Sequence, residues 1–423
     1  MKKKNIGNLV IIGLVVLNLV MWTVFPPIND GRPNFIRQYV GEVIGSTMII
    51  LMASGFFLTT RAKWAEPYFG GLDKMYVAHK RVNTTAFLLI FVHVITVPIT
   101  TINLRLGNYL AIIAFVGIVT IVLLTLSPRI PILSKLTNAS YDEWRKVHRY
   151  IGIFYTIGFF HSIFINALSA LIAFTYVQTI FIIGLCCYLY TEFFSRFFKK
   201  SLPYSVTGVQ HLNGNTTEVT LAPRKDRLTH QPGQFLFVRF PGDQALDESH
   251  PFTISSAPGE ESIRLTIKAS GDFTRHLFHN LRAGMDATLE GAHGLFQHHL
   301  GGPKQTWIAG GIGITPFLSF MRHGKLDREI DFYYTVRTRD EALFLDEINT
   351  AMKQNPSFRA FIRFSIESGS LTVDEIVQNS GDDFRDRHVY MCGPYGMMQA
   401  FAEKFKSFGV PADHIHYEEF NFR

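Results

Sequence analysis

The sequence predicts a six-span membrane bundle followed by a soluble half of two domains, an antiparallel β-barrel and a doubly wound α/β domain. Three observations predict it. Apolar runs of spanning length are confined to residues before Phe198, short strand-like runs with turn residues follow to about 302, and strands then alternate with helical stretches. At 423 residues, 47% hydrophobic and a mean hydropathy of +0.14, the chain is too long for one ordinary domain and too apolar to be uniformly soluble. The domains are therefore placed at 1–198, 203–302 and 303–423.

Six apolar stretches, roughly 6–25, 39–60, 79–101, 107–127, 147–167 and 171–195, are each long enough to cross a bilayer. The first follows Lys2, Lys3 and Lys4 with no small-residue cleavage site, so it reads as a retained helix and not as a removed signal peptide. With the N-terminus inside, sixteen basic residues fall on the cytoplasmic side: Lys2, Lys3, Lys4, Arg61, Lys63, Lys74, Lys80, Arg81, Arg129, Lys135, Arg145, Lys146, Arg149, Arg196, Lys199 and Lys200. The other side receives only Arg32, Arg37 and Arg105, a bias that makes this a multi-pass cell-membrane protein with its soluble half in the cytoplasm. The same bias accounts for the net charge of +7 and argues against a nucleic-acid partner; the partner is membrane lipid.

Four of the sixteen histidines lie in the membrane half: His79 and His93 in the third stretch, His148 and His161 in the fifth. Ionisable groups at membrane depth are costly and point to function. Spacings of 14 and 13 residues separate each pair by about 20 Å along a helix, so each helix offers one ligand near either face of a hydrocarbon core about 30 Å thick. The two stretches run in the same direction, which sets His79 level with His148 and His93 level with His161: two bis-imidazole haem sites, one above the other. At about 100° per residue, 14 steps return to within about 40° of one face, whereas 13 leave a mismatch of about 140°, so the fifth stretch should be distorted. Gly152 and Gly158 are placed to allow a bend. Two separated pairs do not make one tetrahedral zinc set. Lys80, Arg81, Arg145 and Arg149 at the inner end suit either haem propionates or positive-inside topology, and Phe154 lies between the two levels or faces lipid. Cys186 and Cys187 are adjacent and Cys392 stands alone, so no disulfide framework exists. Without a CxxCH or CxxC motif, the haems are non-covalent, of b type, and an iron–sulfur cluster is not expected.

In the soluble half, the runs YSVTGVQ, TEVTLA, QFLFVRF and SIRLTIKAS read as barrel strands, and TWIAG, IDFYYTV, FRAFIRFSI and HVYMC as strands each followed by a helix. At the first strand-to-helix turn stand Gly310, Gly311, Ile312, Gly313, Ile314, Thr315 and Pro316, where glycines admit a pyrophosphate to the backbone and a helix N-terminus favours its charge. No Gly-Lys-Ser/Thr follows, so this is not a Walker A loop. Arg337 and Arg339 follow the second strand, where bidentate pairing with an adenosine 2′-phosphate would favour NADPH over NADH; a solvated loop charge is the alternative.

The string His250-Pro251-Phe252-Thr253-Ile254-Ser255-Ser256, then Gly271-Asp272-Phe273-Thr274, the glycine-rich turn and Cys392-Gly393-Pro394 occur in the order of a ferredoxin-reductase-like module. Joined to the histidine pairs, they make nearly the whole chain resemble the NADPH oxidase and ferric reductase superfamily, particularly its bacterial NADPH oxidases. The resemblance implies that His250 to Thr253 and Ser255 line the flavin of FAD, with Thr253 near its reactive edge, and that Gly271 to Thr274 hold the FAD diphosphate. It further implies that Gly310 to Pro316 cradle NADPH phosphates and that Cys392, Gly393 and Pro394 border the nicotinamide. The terminal IHYEEFNFR resembles the family's terminal aromatic, so Phe420, or less favourably Phe422, would stack on the flavin. Phe420, Cys392 and Thr253 are thereby the expected catalytic positions.

Two departures bear on the acceptor. Val97 stands four residues after His93, where the animal oxidases carry a further histidine, and the second stretch has no central arginine. The expectation is an NADPH oxidase: electrons pass from NADPH through FAD and two haems to dioxygen outside, releasing superoxide. A ferric or metal-chelate reductase of the same architecture is the alternative, and a nucleotide-gated transporter or redox sensor a third class that the paired histidines disfavour. No EF-hand pattern precedes the first stretch, and activity without a regulatory subunit is expected.

Overall fold

The computed structural model describes residues 3–98, 104–126, 146–168, 170–198, 200–324, 326–381 and 383–418, in two compact units, 1–198 and 199–423. Lys2, Arg129, Lys135, Arg145, Lys199, Phe420 and Phe422 lie outside the described residues.

Unit 1 is built of α1 (Ile6–Val24), α2 (Phe35–Thr59), α3 (Leu72–Thr96), α4 (Leu106–Leu126), α5 (Ile151–Phe164) and α6 (Leu171–Leu189). Among the described residues, four of the expected six stretches form helices long and apolar enough to cross a membrane: Lys3–Val24, Phe35–Thr59, Leu106–Leu126 and Leu171–Phe194. The other two differ for separable reasons. α3 has 25 residues but starts at Leu72, so it includes Asp73, Lys74, Lys80, Arg81 and Asn83 together with its histidines. α5 has only 14 residues, a rise of about 21 Å.

The expected distortion of the fifth stretch is present, at a different place. Residues 146–148 are helical, Arg149 and Tyr150 form a turn, and α5 begins at Ile151, so His148 lies outside the helix that carries His161. Short bonds from Tyr150 N to Val147 O (3.1 Å) and from Ile153 N to Tyr150 O (3.0 Å) tighten the turn. Neither glycine makes the bend. Gly152 receives the Tyr188 ring, and Gly158 faces open space.

α2 packs chiefly on α3 and α6, and α4 on α5. Small residues let these backbones approach closely. Gly55 lies against Asn83, Gly117 against the ring of Phe154, and Gly184 against Ala53 and the Tyr155 hydroxyl. Phe154 is therefore half-buried against α4 and does not face outward.

Unit 2 opens with an antiparallel six-stranded sheet of β1 (Ser201–Asn213), β2 (Thr216–Pro223), β3 (Phe235–Arg239), β4 (His250–Thr253), β5 (Ile263–Lys268) and β6 (Asp286–His293), in the order β4-β3-β6-β1-β2-β5. Its inward residues, among them Val206, Val219, Leu236, Ile254, Leu265 and Leu289, form one core closed by Leu277 and Leu281 of the segment around α7 (Asp272–Asn280). A parallel sheet follows: β7 (Lys304–Gly310), β8 (Glu329–Val336), β9 (Phe358–Phe364), β10 (His388–Cys392) and β11 (Ile415–Tyr417), in the order β11-β10-β7-β8-β9. Its helices are α8 (Thr315–Arg322), α9 (Leu345–Gln354), α10 (Val373–Ser380) and α11 (Tyr395–Ser407). Separate cores, one around Trp307 and Phe317 and one around Ile308 and Phe405, show that both faces are covered, as a parallel sheet demands. Order reverses beside β7, and the crevice beyond its carboxyl end is where such folds bind ligands.

Candidate functional site

In unit 1 the four histidines are brought together as two pairs: His93 lies near His161, and His148 near His79. Three rings are oriented by glycine carbonyls on neighbouring helices. The Nδ1–H of His93 donates to Gly41 O at 2.8 Å, that of His161 to Gly107 O at 2.8 Å and that of His79 to Gly55 O at 3.0 Å. A carbonyl can only accept, so the proton is on Nδ1 and Nε2 keeps the lone pair a metal needs. His148 Nδ1 lies 3.4 Å from the Thr125 hydroxyl. Among the described residues no group of three or more His, Cys, Asp or Glu is arranged to hold a single ion. Two separate imidazole pairs, three of whose rings are oriented by carbonyls, could each hold a haem, and they do not fit a zinc centre.

In unit 2, β4 pairs with β3 so that Thr253 lies opposite Phe235 and His250 opposite Val238. The imidazole of His250 stacks on Phe273 at 3.8 Å between centroids, and Phe252 lies parallel to the same ring at 6.3 Å. Phe273 belongs to the first turn of α7, so this stack joins the two motifs expected to bind FAD. The Thr274 hydroxyl accepts from the N–H groups of Gly271 (2.9 Å) and Ser270 (3.0 Å), leaving an extended Gly271 at the helix N-terminus, a geometry suited to phosphate. Buried Ser255 donates from Oγ to Arg264 O at 3.0 Å, and Thr266 donates to Ser255 Oγ at 3.2 Å. Arg322 and Ser319 of α8 donate to Ser255 O and Ser256 O, both at 2.8 Å, tying the barrel to the nucleotide domain.

The two glycine-bearing turns of the nucleotide domain are in contact. A Cβ on Gly313 would stand 2.8 Å from Gly393 N and closer still to the Cys392 carbonyl, and one on Gly393 would stand 3.0 Å from Gly310 Cα. Gly311, with φ +54°, turns the chain between β7 and α8. Thr315 Oγ1 donates to Ile312 O at 3.2 Å, and Pro316 occupies the first turn of α8, where its missing N–H costs nothing. Cys392 and Pro394 thus adjoin Gly310 to Gly313 at the carboxyl end of the sheet. The Cys392 thiol is pushed well above the usual thiol range by burial and then by the charge of Glu418. Glu418 is itself buried and lies beside Gly294. Sequence reasoning missed it; the acidic pair in HYEEF was the available signal.

The two arginines differ. Arg339 is engaged with Glu367 at 2.8 and 2.9 Å and lies over the Phe364 ring at 4.7 Å. Arg337 is exposed at the end of β8.

Residues 201–399 match the model of a family described as an FAD-binding domain. The chain is 27% identical over 231 residues to the reductase component of propane 2-monooxygenase from Rhodococcus jostii (strain RHA1), covering 51% of this chain and 62% of that protein. It is 25% identical over 218 residues to flavohemoprotein A of Dictyostelium discoideum, covering 47% of this chain and 54% of that one. The chain thus spans somewhat more than half the length of these relatives. Among solved structures, flavohemoglobin from Malassezia yamatoensis with bound FAD and heme aligns with a TM-score of 0.53 at 17% identity, over 92% of this chain and 98% of that one, a likeness of fold. Over residues 201–399 the C-terminal unit is thus similar to FAD-binding domains of flavin reductases and flavohemoproteins.

Proposed function

We propose that this chain is a membrane NADPH oxidase: it draws electrons from cytoplasmic NADPH through FAD and two b-type haems to dioxygen on the far side, where superoxide leaves. The observation that carries this reading is the presence, in one chain with a segment similar to an FAD-binding domain, of two histidine pairs in which three of the four rings donate from Nδ1 to a glycine carbonyl.

FAD, when bound, would supply conversion of a hydride into single electrons, and haem held by His93 with His161 and by His79 with His148 would supply one-electron transfer. The chain's own groups bind and orient. Gly41, Gly55 and Gly107 hold three imidazoles in one tautomer, so at those three Nε2 would be the atom that holds a haem iron. The His250–Phe273 stack and the Thr274-stabilised turn would seat the flavin and its diphosphate, with Thr253 at the reactive edge. The Gly310–Pro316 turn would take the NADPH phosphates and Arg337 the 2′-phosphate. Buried Cys392, kept as a neutral thiol, would border the nicotinamide without repelling hydride, and Phe420 would cover the flavin until NADPH displaces it.

Two of the three arginines assigned to the outer side are engaged within the chain, which supports a small neutral acceptor over an anionic ferric chelate. Arg32 is paired with Asp30, and Arg37 donates to the Thr96 and Ile95 carbonyls at 2.7 Å each, while Arg105 is exposed. NADPH-driven cytochrome c reduction, measured with and without superoxide dismutase and compared with anaerobic ferric-chelate reduction, tests the reading. Reduction is expected to be suppressed by dismutase and to need no added subunit; dismutase-insensitive reduction with brisk anaerobic iron turnover would sink it.

A further inference from the structure

The first turns of α2 touch the chain on both sides of the His93–His161 pair. Arg37 donates from Nε to Thr96 O and from Nη2 to Ile95 O, each at 2.7 Å. Its guanidinium therefore caps α3 directly after His93, at the helix end that favours a cation. One turn on, Gly41 O accepts the His93 Nδ1–H at 2.8 Å, and at Gly45 an added Cβ would meet the same ring at 2.9 Å, so the imidazole lies in a notch that glycine leaves open. Between these two glycines, Glu42 accepts from Leu168 N–H at 3.0 and 3.2 Å and from Gln38 Nε2 at 2.8 Å. Gln38 also donates to Asn166 O at 2.9 Å, and Arg32 to the same oxygen at 3.0 Å. These bonds fix the segment that leaves α5 after His161.

We infer that this stretch of α2 is the seat of the outer imidazole pair. Arg37 and Glu42 are its positioning residues: they hold the backbone on either side of the two ligands and, through opposite charges, set the reduction potential of the group bound there and of no other. The inference rests on the two-haem reading above. The inner pair is seated differently, on Gly55 O and near the Thr125 hydroxyl, so changes in Arg37 or Glu42 leave it alone.

The test uses the full-length, haem-loaded protein in detergent, titrated potentiometrically while the Soret band and the low-spin ferric EPR signals are followed. His93→Ala identifies which of the two waves belongs to the outer pair. Arg37→Ala removes a positive charge that favours the reduced iron and lowers that wave. Glu42→Gln removes a negative charge and raises it. Each moves the reduction equilibrium by roughly three- to tenfold, the scale of one partly screened charge near a protein surface. The EPR signal of the same centre shifts, and Arg37→Lys, which keeps the charge, returns the wave towards the wild-type value. If Arg37→Ala does not accumulate, Arg37→Gln removes the same charge and, with Glu42→Gln, makes the same comparison. Unmoved waves in haem-loaded variants, equal movement of both waves, or movement in the same direction for both charge changes would overturn the inference. Wild-type protein without a Soret band would instead remove the haem reading beneath it.

Discussion

Replacing Gly313 by alanine tests how the nucleotide turn works, because the structure fixes where the new atom must go. Its Cβ would stand 2.8 Å from Gly393 N and closer still to the Cys392 carbonyl, inside the 3.0 Å that real Cβ atoms keep. Both neighbours are backbone, and both follow from β10, an interior strand of the parallel sheet, so no side-chain rotation relieves the overlap. The turn carrying Gly310 to Gly313 and the turn carrying Cys392 to Pro394 must therefore move apart. Overpacking of this kind costs about 1–3 kcal/mol, and if it falls on the geometry that aligns nicotinamide and flavin, each 1.4 kcal/mol is about tenfold in rate. Stopped-flow reduction of the bound flavin by NADPH should slow by about ten- to a hundredfold in Gly313→Ala, with flavin content retained because the His250–Phe273 stack and the Thr274 turn are untouched. Gly311→Ala is the control. It has open space around its Cβ and only the strain of φ +54°, a penalty of about 1 kcal/mol on stability. A Gly313→Ala protein that reduces its flavin at the wild-type rate and melts with the wild type would refute the account of two turns in contact.

Alanine at His93 or at His161 should remove about half of the haem absorbance, and alanine at both no more than either alone, since the two act as one site; His79 and His148 should behave likewise for the other half. Pyridine haemochrome assays check this, and additive loss across a pair would break the pairing. Arg337→Ala should raise the KM for NADPH about tenfold, the scale of one charge-assisted bond, and leave that for NADH unchanged, while Arg339→Ala, already engaged by Glu367, does less. Cys392 predicts a pH effect of known sign. Its folded thiol ionises far above the unfolded one, so the stability of unit 2 is undiminished below the ordinary thiol range and declines as pH rises through it, when only the unfolded chain loses the proton. Iodoacetamide labelling of Cys392 at pH 9 should be slow in the folded protein and fast in urea.

The readable parts of this chain are those whose physics is local. Apolar length, basic bias and the 14-residue interval between His79 and His93 are properties of contiguous sequence, and so is the strand–turn–helix around Gly310. The mismatch of the 13-residue interval was readable as well, as a demand for distortion. Its location was not, because Gly152 and Gly158 look like hinges on paper while the chain turns at Arg149 and Tyr150. The start of α3 was hidden for a related reason. Asp73 and Lys74 lower the local hydropathy, yet Asp73 is buried in the helix's first turn. The contact of Gly313 with Cys392 joins strands that are distant in sequence and adjacent only once β10 has paired beside β7.

Glycine carries the deepest ambiguity, since one residue type does three unlike things in this chain. At Gly311 it admits a backbone angle that other residues resist; at Gly117 and Gly152 it makes room for an aromatic ring. At Gly41, Gly55 and Gly107 it does something sequence does not display, exposing a helical carbonyl to an imidazole on the next helix. The helix spacing explains why glycine is needed there. A Cβ at Gly107 would stand 2.6 Å from the backbone N of Ile165, and one at Gly41 2.6 Å from Val97 Cγ1, so either would push away the helix that carries the histidine. Once the helices separate, the Nδ1–H loses its acceptor, the ring is free to turn, and Nε2 no longer has a fixed direction. The histidine pattern and the glycine pattern are thus two halves of one device, and only the fold shows which glycine serves which ring.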